Sequence, residues 1–400
     1  MSNKTSPVWG YSLSSALVLM APFDLLASLA MDVYLPVIPA MPVALDTSPA
    51  IVQLTLSIYM ILLGFGQLIF GPLSDSIGRR PVVLGGALLF SIASFALAMT
   101  SRGELFVALR VLQALGASAA LVATFATVRD VYADRPESSI IYSLFSSMLA
   151  SVPALGPVLG SVIALAFGWR GIFVMLGVLG VLGLLAFAQA LLRWHETRPP
   201  KQDKQGLAIA LILSNKSFWI YTLGFSAALG SFFVFFSTAP RVLMSLAGFS
   251  QIEFSIAFAT VALVMIAVTR FAKLFVARWG IQGSFLRGLL VMMAGAIILA
   301  ACAVFSKPSF ITFVMPMWLI AVGMVTVVSV TANGALRDFG DASGTAVALY
   351  YCIQSLIVGG VGTLMTLVLS GDTVWPLVAY SFGMPAISFI AFAVLKQKTK

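Results

Sequence analysis

Charge is what this 400-residue chain has least of: Asp, Glu, Lys and Arg together make up 9% of it. A soluble domain carries roughly 25% charged residues to keep its surface in water, so this chain cannot cover a surface of that kind. Hydrophobic residues reach 60% and the mean hydropathy is +1.05. Its solvent must largely be lipid. Histidine and cysteine are scarce too. His195 sits in a polar stretch with no nucleophile or metal ligand beside it. Cys302 and Cys352 lie in apolar runs, where they read as small hydrophobes. No metal-ligand or disulfide spacing results, and no polar cluster offers a catalytic centre. The expectation is a protein that is not an enzyme and holds no metal.

Long apolar runs are what the chain has instead. A helix needs ~20 apolar residues to cross ~30 Å of hydrocarbon. Such runs fall near 14–39, 50–71, 81–100, 104–128, 139–166 and 170–192. A second set falls near 217–239, 251–270, 283–306, 309–331, 342–369 and 373–395. Barrel strands would alternate apolar and polar residues, whereas Val261 to Val268 is apolar throughout. A helix satisfies its own backbone and can be apolar on every side. The pattern predicts an all-α integral membrane fold of twelve spans. The polar, Pro- and Lys-rich stretch 193–216 divides it into six-helix halves at 1–192 and 217–400. A parallel repeat of this kind is one transporter layout. Gly78 and Gly280, 202 positions apart, are a faint trace of it.

The net charge of +9 would raise nucleic acid as a partner of a soluble protein. Here its distribution has another cause. With an inside N-terminus, of the 23 Lys and Arg only Arg102, Arg170, Arg241 and Lys307 fall in loops on the outer face, and Arg110 lies within a span. The positive-inside rule then puts both termini in the cytoplasm, and no nucleic acid is expected.

Charges within the spans are Asp24, Asp32 and Arg110. An ionised side chain at mid-bilayer costs ~2.5–3.5 kcal/mol or more, so each is a functional candidate. Asp32 lies ~12 Å along the helix from Asp24 and ~80° around it, toward the external mouth. A carboxylate in an apolar surrounding favours its neutral form and can exchange protons near neutral pH. Arg110 stays charged and can pull a nearby carboxylate back toward ionisation. The expected centre is a proton site built from Asp24, Asp32 and Arg110, driven by the proton gradient without a cofactor. A static ion pair is the structural alternative.

The loop GPLSDSIGRRPVVL carries Gly71, Asp75, Gly78 and Arg79. Gly71 permits close helix approach, and Gly78 permits a turn that a side chain would block. This loop resembles the signature between spans two and three of the major facilitator superfamily, with Ser76 where a basic residue is usual. The resemblance implies a cytoplasmic gate of Asp75 and Arg79 that packs against the second half. Arg110, Gln113 and Gly116 resemble the fourth-span motif of proton-driven members. Pro153, Gly156, Pro157 and Gly160 resemble the fifth-span motif of antiporters. Proline kinks a helix and glycine at four-residue spacing lets a neighbour pack closely.

The first span, LMAPFDLLASLAMDVYLPVIPAMP, looks like drug:proton antiporters of the Bcr/CflA group. The segments ATFATVRDVYADRPE and GFSAALGSFFVFFSTAPRVL resemble phenicol exporters within it. The implied function is proton-coupled export of chloramphenicol and florfenicol from a bacterial inner membrane, by a protein expected to act as a monomer in lipid. A broader multidrug antiporter and a proton-coupled importer are the alternatives. Phenicols are neutral and aromatic, so their site should be mostly apolar. Phe23, Tyr34, Tyr59, Phe232, Phe235 and Phe236 could together line it, although each alone reads better as a packing or lipid-facing aromatic.

Overall fold

A computed structural model of the chain describes residues 13–132, 137–191, 205–339 and 343–397. The side chains of some of these, Asp24 among them, lie outside the described residues, as does His195. The helices in chain order are α1 (Leu13–Asp32), the short α2 (Met41–Ala44), α3 (Pro49–Ile77), α4 (Arg79–Met99), α5 (Gly103–Tyr132) and α6 (Glu137–Leu191). After these come α7 (Gln205–Ser214), α8 (Lys216–Pro240), α9 (Gln251–Thr269), α10 (Ala272–Phe305), α11 (Met315–Leu336), α12 (Ser343–Val368) and α13 (Trp375–Gln397).

Eleven stretches among the described residues are long and apolar enough to cross a membrane. One of them, Ser151–Ala186, runs over a break in α6 at Gly168. Gly168 has φ 72°, a value that favours glycine, and the helix folds back there. Gly160 lies against Val33, just past the end of α1, and Gly183 lies against Phe23, about three turns back on α1. The two arms of α6 are therefore separate passes, which brings the total to twelve. This is a multi-pass, all-helical membrane protein among its described residues. The expected first span ends earlier as an α-helix than the apolar run suggested: Leu35–Ala40 is a 3-10 turn, because Pro36 and Pro39 remove backbone donors. Of the polar stretch between the halves, 205–214 forms α7 and the preceding part lies outside the described residues.

Sequence punctuation sets several helix starts. Ser48 accepts a hydrogen bond from the Ile51 amide, with Pro49 in the first turn of α3. Asn215 caps α8 through the Phe218 amide at 3.0 Å. Ser250 and Glu253 cap α9 reciprocally, the Ser250 amide donating to the Glu253 carboxylate at 2.8 Å.

The repeat is visible in geometry. Gly78 and Gly280 both adopt positive φ, 106° and 67°, at the turns into α4 and within α10. Eight residues on from each, Gly86 and Gly288 sit at tight crossings, Gly86 against Gly116 of α5 and Gly288 against Gly323 of α11. The halves meet along two seams. On α3 and α12, a methyl group at Gly64 would overlap the Ser355 side chain, and one at Gly359 would overlap Ile61. On α6 and α9, the Ser161 and Ser255 hydroxyls lie 2.7 Å apart.

Candidate functional site

Arg110 is fully buried in the first half. α5 carries it, α1 and α3 face it, and α4 supports it from behind. Its Nη1 donates to the Ala30 carbonyl at 3.1 Å and to Gln113 Oε1 at 2.6 Å. Gln113, three residues on and so on the same face, passes its amide to Ser94 of α4 at 2.8 Å. Two aromatic rings face the guanidinium: Tyr59 at 4.5 Å and Tyr34 at 5.2 Å from ring centre. Tyr59 is fixed by its own hydroxyl, which donates to the Ala27 carbonyl at 3.0 Å. Tyr34 packs with Phe106 and Phe173. The rings lend the cation partial stabilisation, yet among the described residues Nε and Nη2 have no hydrogen-bond partner and Arg110 has no ion pair. A buried cation so poorly satisfied is costly and is suited to receive an acceptor.

Asp32, 5% exposed, sits at the end of α1 where that helix crosses α6. The glycines of the fifth-span motif make the crossing possible. A Cβ on Gly156 would stand 2.6 Å from the Asp32 Cβ, and one on Gly160 would collide with the Val33 carbonyl. Pro157 offers its carbonyl to the Ser255 hydroxyl at 2.9 Å, so the motif joins the second half as well as α1. Pro153 is half-buried on the same arm. Asp24 lies on α1 with its side chain outside the described residues.

The aromatic candidates divide. Tyr34 and Tyr59 belong to the Arg110 pocket. Phe23 packs against Gly183 on the second arm of α6. Phe235 stacks between Phe258 and Phe313, at 5.2 and 5.6 Å. Phe232 and Phe236 lean on the same Phe258. These three form part of a cluster inside the second half.

At the end of the bundle where α3 turns into α4, Arg79 is 1% exposed and spans three partners. Its Nη1 meets Asp75 at 2.5 Å and Ser74 at 2.6 Å, and its Nε meets Asp130 at 2.8 Å. Gly71 behaves differently from expectation. The close approach to the second half is made by Gly64, two turns earlier on the same face of α3, whereas a Cβ on Gly71 would meet nothing within 4 Å among the described residues.

At the opposite end the halves are tied. Arg241 donates from Nη2 to Gln53 of α3 at 2.6 Å and pairs through Nη1 with Asp372 at 2.6 Å. The Ser161 hydroxyl also bonds the Gln251 carbonyl at 3.0 Å. Sequence reasoning passed over Asp130, Gln53, Asp372 and the Ser161–Ser255 pair. Only Asp130 had a signal, as the acidic residue just past a span in a segment already singled out.

Two helical halves tied at one end, with a buried arginine inside the first, are an arrangement suited to carrying a solute through a membrane. Comparison with known proteins agrees. The Major Facilitator Superfamily model matches residues 23–363. The chain belongs to this superfamily. It is 47% identical over 381 residues to a "Chloramphenicol resistance protein" of Pseudomonas aeruginosa, covering 95% of this chain and 90% of that one. It is 31% identical over 341 residues to the "Multidrug resistance protein MdtL" of Escherichia coli O81 (strain ED1a), covering 83% and 82%. The MdtL of Citrobacter koseri is 29% identical over the same length.

Proposed function

We propose that this transporter exports phenicol antibiotics, chloramphenicol and florfenicol, across the bacterial inner membrane in exchange for protons. The observation that carries this is the 47% identity, along 95% of the chain, to the chloramphenicol resistance protein. The Arg79 end is then the cytoplasmic one, with both termini on that side, a reading that the distribution of Lys and Arg supports. The Arg241 end is external, and the tie between the halves there fits closure on that side in an alternating-access cycle.

In this reading the drug enters from the cytoplasm and reaches the Arg110 pocket. Arg110 presents its two unused nitrogens to an acceptor on the drug or to a carboxylate. Asp24 is the exchanging carboxylate. Ionised, it accepts a hydrogen bond from a drug hydroxyl; protonated, it loses that contact and the drug is released outside. Asp32, against the antiporter motif, is placed to sense the tilt of α1 against α6. Moving one charge across 100 mV is worth ~2.3 kcal/mol, so exchange of one proton for a neutral drug is electrogenic. No bound cofactor is required, and one chain suffices as the working unit.

A second reading, a broader multidrug antiporter, is favoured by the MdtL relatives. Both are tested by resistance in a drug-sensitive bacterium carrying wild type or Asp24→Asn, with membrane expression checked. Protection against phenicols alone, lost in Asp24→Asn, supports the proposal. Protection against dyes and quinolones as well favours the second reading. No protection at all leaves only the transporter fold.

A further inference from the structure

Each half has a turn marked by a positive-φ glycine, Gly78 in the first and Gly280 in the second, and the two turns differ in charge. At the first, Arg79 is buried and shared between Asp75 and Asp130. On the same offset that relates the glycines, the second has Ala277 in place of Asp75 and Ile281 in place of Arg79. Arg337 lies as far past Gly323 as Asp130 lies past Gly116, the glycines at the matching crossings. Both acids are therefore lost from the second turn, and no Asp or Glu occurs anywhere between Glu253 and Asp338.

Four cations stand at this turn: Arg270, Lys273, Arg278 and Arg287, all exposed. Among the described residues none of them meets a carboxylate. The turn is nevertheless built. Arg287 lies over the ring of Trp279 at 5.0 Å, and Trp279 stacks on Phe275 at 5.3 Å. The Ser284 hydroxyl donates to the Phe275 carbonyl at 3.3 Å, which ties the part of α10 before Gly280 to the part after it. The part after it, 281–305, is ~37 Å long and crosses the membrane by itself. The part before it, 272–279, therefore lies at the membrane surface. Phe271 and Leu274 are 53% and 63% exposed there, among the cations. The positive-inside rule accounts for the cations, but not for two large apolar side chains between them.

Unpaired cations call for an anion, and exposed apolar side chains beside them call for an apolar body. At a bilayer surface one molecule supplies both. We propose that this turn is a binding site for an anionic phospholipid. The cations hold the phosphate headgroup, and Phe271 and Leu274 enter the acyl boundary next to it. Arg79, buried against its own carboxylates, does not serve the first half in this way. On the orientation proposed above, the lipid comes from the inner leaflet.

The test is native mass spectrometry of the purified full-length protein, titrated with phosphatidylglycerol or with phosphatidylcholine of the same chains. A cation near an anionic surface is worth about fivefold in affinity, so the first phosphatidylglycerol should bind about tenfold or more tighter than the first phosphatidylcholine. Arg270→Gln, Lys273→Gln and Arg278→Gln together should abolish that preference. Arg102→Gln with Lys307→Gln, at the other end of the bundle, should keep it. Phe271→Ser with Leu274→Ser should weaken both lipids and keep the preference. Excess inorganic phosphate should leave the lipid bound. If the triple variant does not fold, Lys273→Glu alone, at an exposed position, should lower the preference about tenfold or more. A preference that survives in the triple variant or in Lys273→Glu overturns the site. So does an equal loss in the Arg102 and Lys307 variant, which would make the effect one of net charge. Full displacement by phosphate would make the turn a site for free anions and overturns the lipid.

Discussion

Gly156 of α6 and Asp32 of α1 touch so closely that a methyl group on the glycine would stand 2.6 Å from the Asp32 Cβ. One turn on, Gly160 faces the Val33 carbonyl even more tightly. Forcing atoms into a filled contact costs about 1–3 kcal/mol, and backbone cannot rotate away as a side chain can. Gly160→Ala should therefore lower the melting temperature and phenicol resistance more than Gly156→Ala. Gly360→Ala, where a methyl group meets nothing within 4 Å, should match wild type. Equal loss in all three variants would show that tight packing on α1 is not the cause.

Arg79 serves Asp75, Ser74 and Asp130 from one planar fork. Lysine carries the charge but not the fork. Arg79→Lys should thus behave nearly as poorly as Arg79→Ala in resistance assays, despite keeping its charge. Removing one partner of a buried pair typically costs about 3–5 kcal/mol, so Asp130→Asn should destabilise the purified protein. The double change Arg79→Gln with Asp130→Asn should cost less than the two single losses added, by a thermal-unfolding double-mutant cycle. Additive losses would mean the two side chains do not depend on each other.

Much of this was legible in the sequence because it is local. Apolar runs mark the spans, and Gly78 with its repeat counterpart Gly280 marks a turn in each half. Arg110 stands out because a charge within a span is costly. The contacts that tie distant parts were not legible. Arg79 and Asp130 are separated by 51 positions, and Gln53 and Arg241 by 188; no periodicity links them. The phenylalanines of α8 show the same limit. Taken singly they read better as packing, but the sequence does not name their partners, and only Phe258 and Phe313 reveal the stacking. Gly71 reads in sequence as a close-approach glycine, yet Gly64, two turns earlier, is the one that meets the second half, at Ser355.

The hydrogen bond from Arg241 to Gln53 should hold the external end shut. A hydrogen bond to a charged group contributes about 1.5–3 kcal/mol, so Gln53→Leu should raise external opening about tenfold or more. Ser161, fully buried at the seam of α6 and α9, reports it. With Cys302 and Cys352 replaced, a Ser161→Cys reporter should react with an impermeant external maleimide far faster when Gln53→Leu is added. An unchanged rate would mean that the seam of α6 and α9 alone keeps that end closed.

If ionised Asp24 receives the drug hydroxyl, protons and drug compete. Florfenicol affinity should then fall as pH is lowered from about 8.5 to about 5.5, because protonation removes the acceptor. Asp24→Asn should bind with an affinity that no longer follows pH. Equal binding across that range by a folded wild type would transfer the proton site to Asp32 or elsewhere.

Tyr59 does two things for Arg110, and substitution can separate them. Its ring lies 4.5 Å from the guanidinium, and its hydroxyl anchors the Ala27 carbonyl of α1. A ring face under a desolvated cation is worth about 0.5–2 kcal/mol, while a neutral hydrogen bond contributes about 0.5–1.5 kcal/mol. Tyr59→Phe keeps the ring and loses only the anchor, so it should retain most phenicol resistance. Tyr59→Leu keeps the apolar bulk but leaves the cation without its ring, and resistance should fall much further at equal expression. Should Leu and Phe behave alike, the ring is mere packing, and Tyr34 with the Ala30 carbonyl is enough to hold Arg110 in the bundle. Should Phe fail as badly as Leu, the Ala27 anchor is the part that matters, and the position of α1 rather than the charge of Arg110 limits transport.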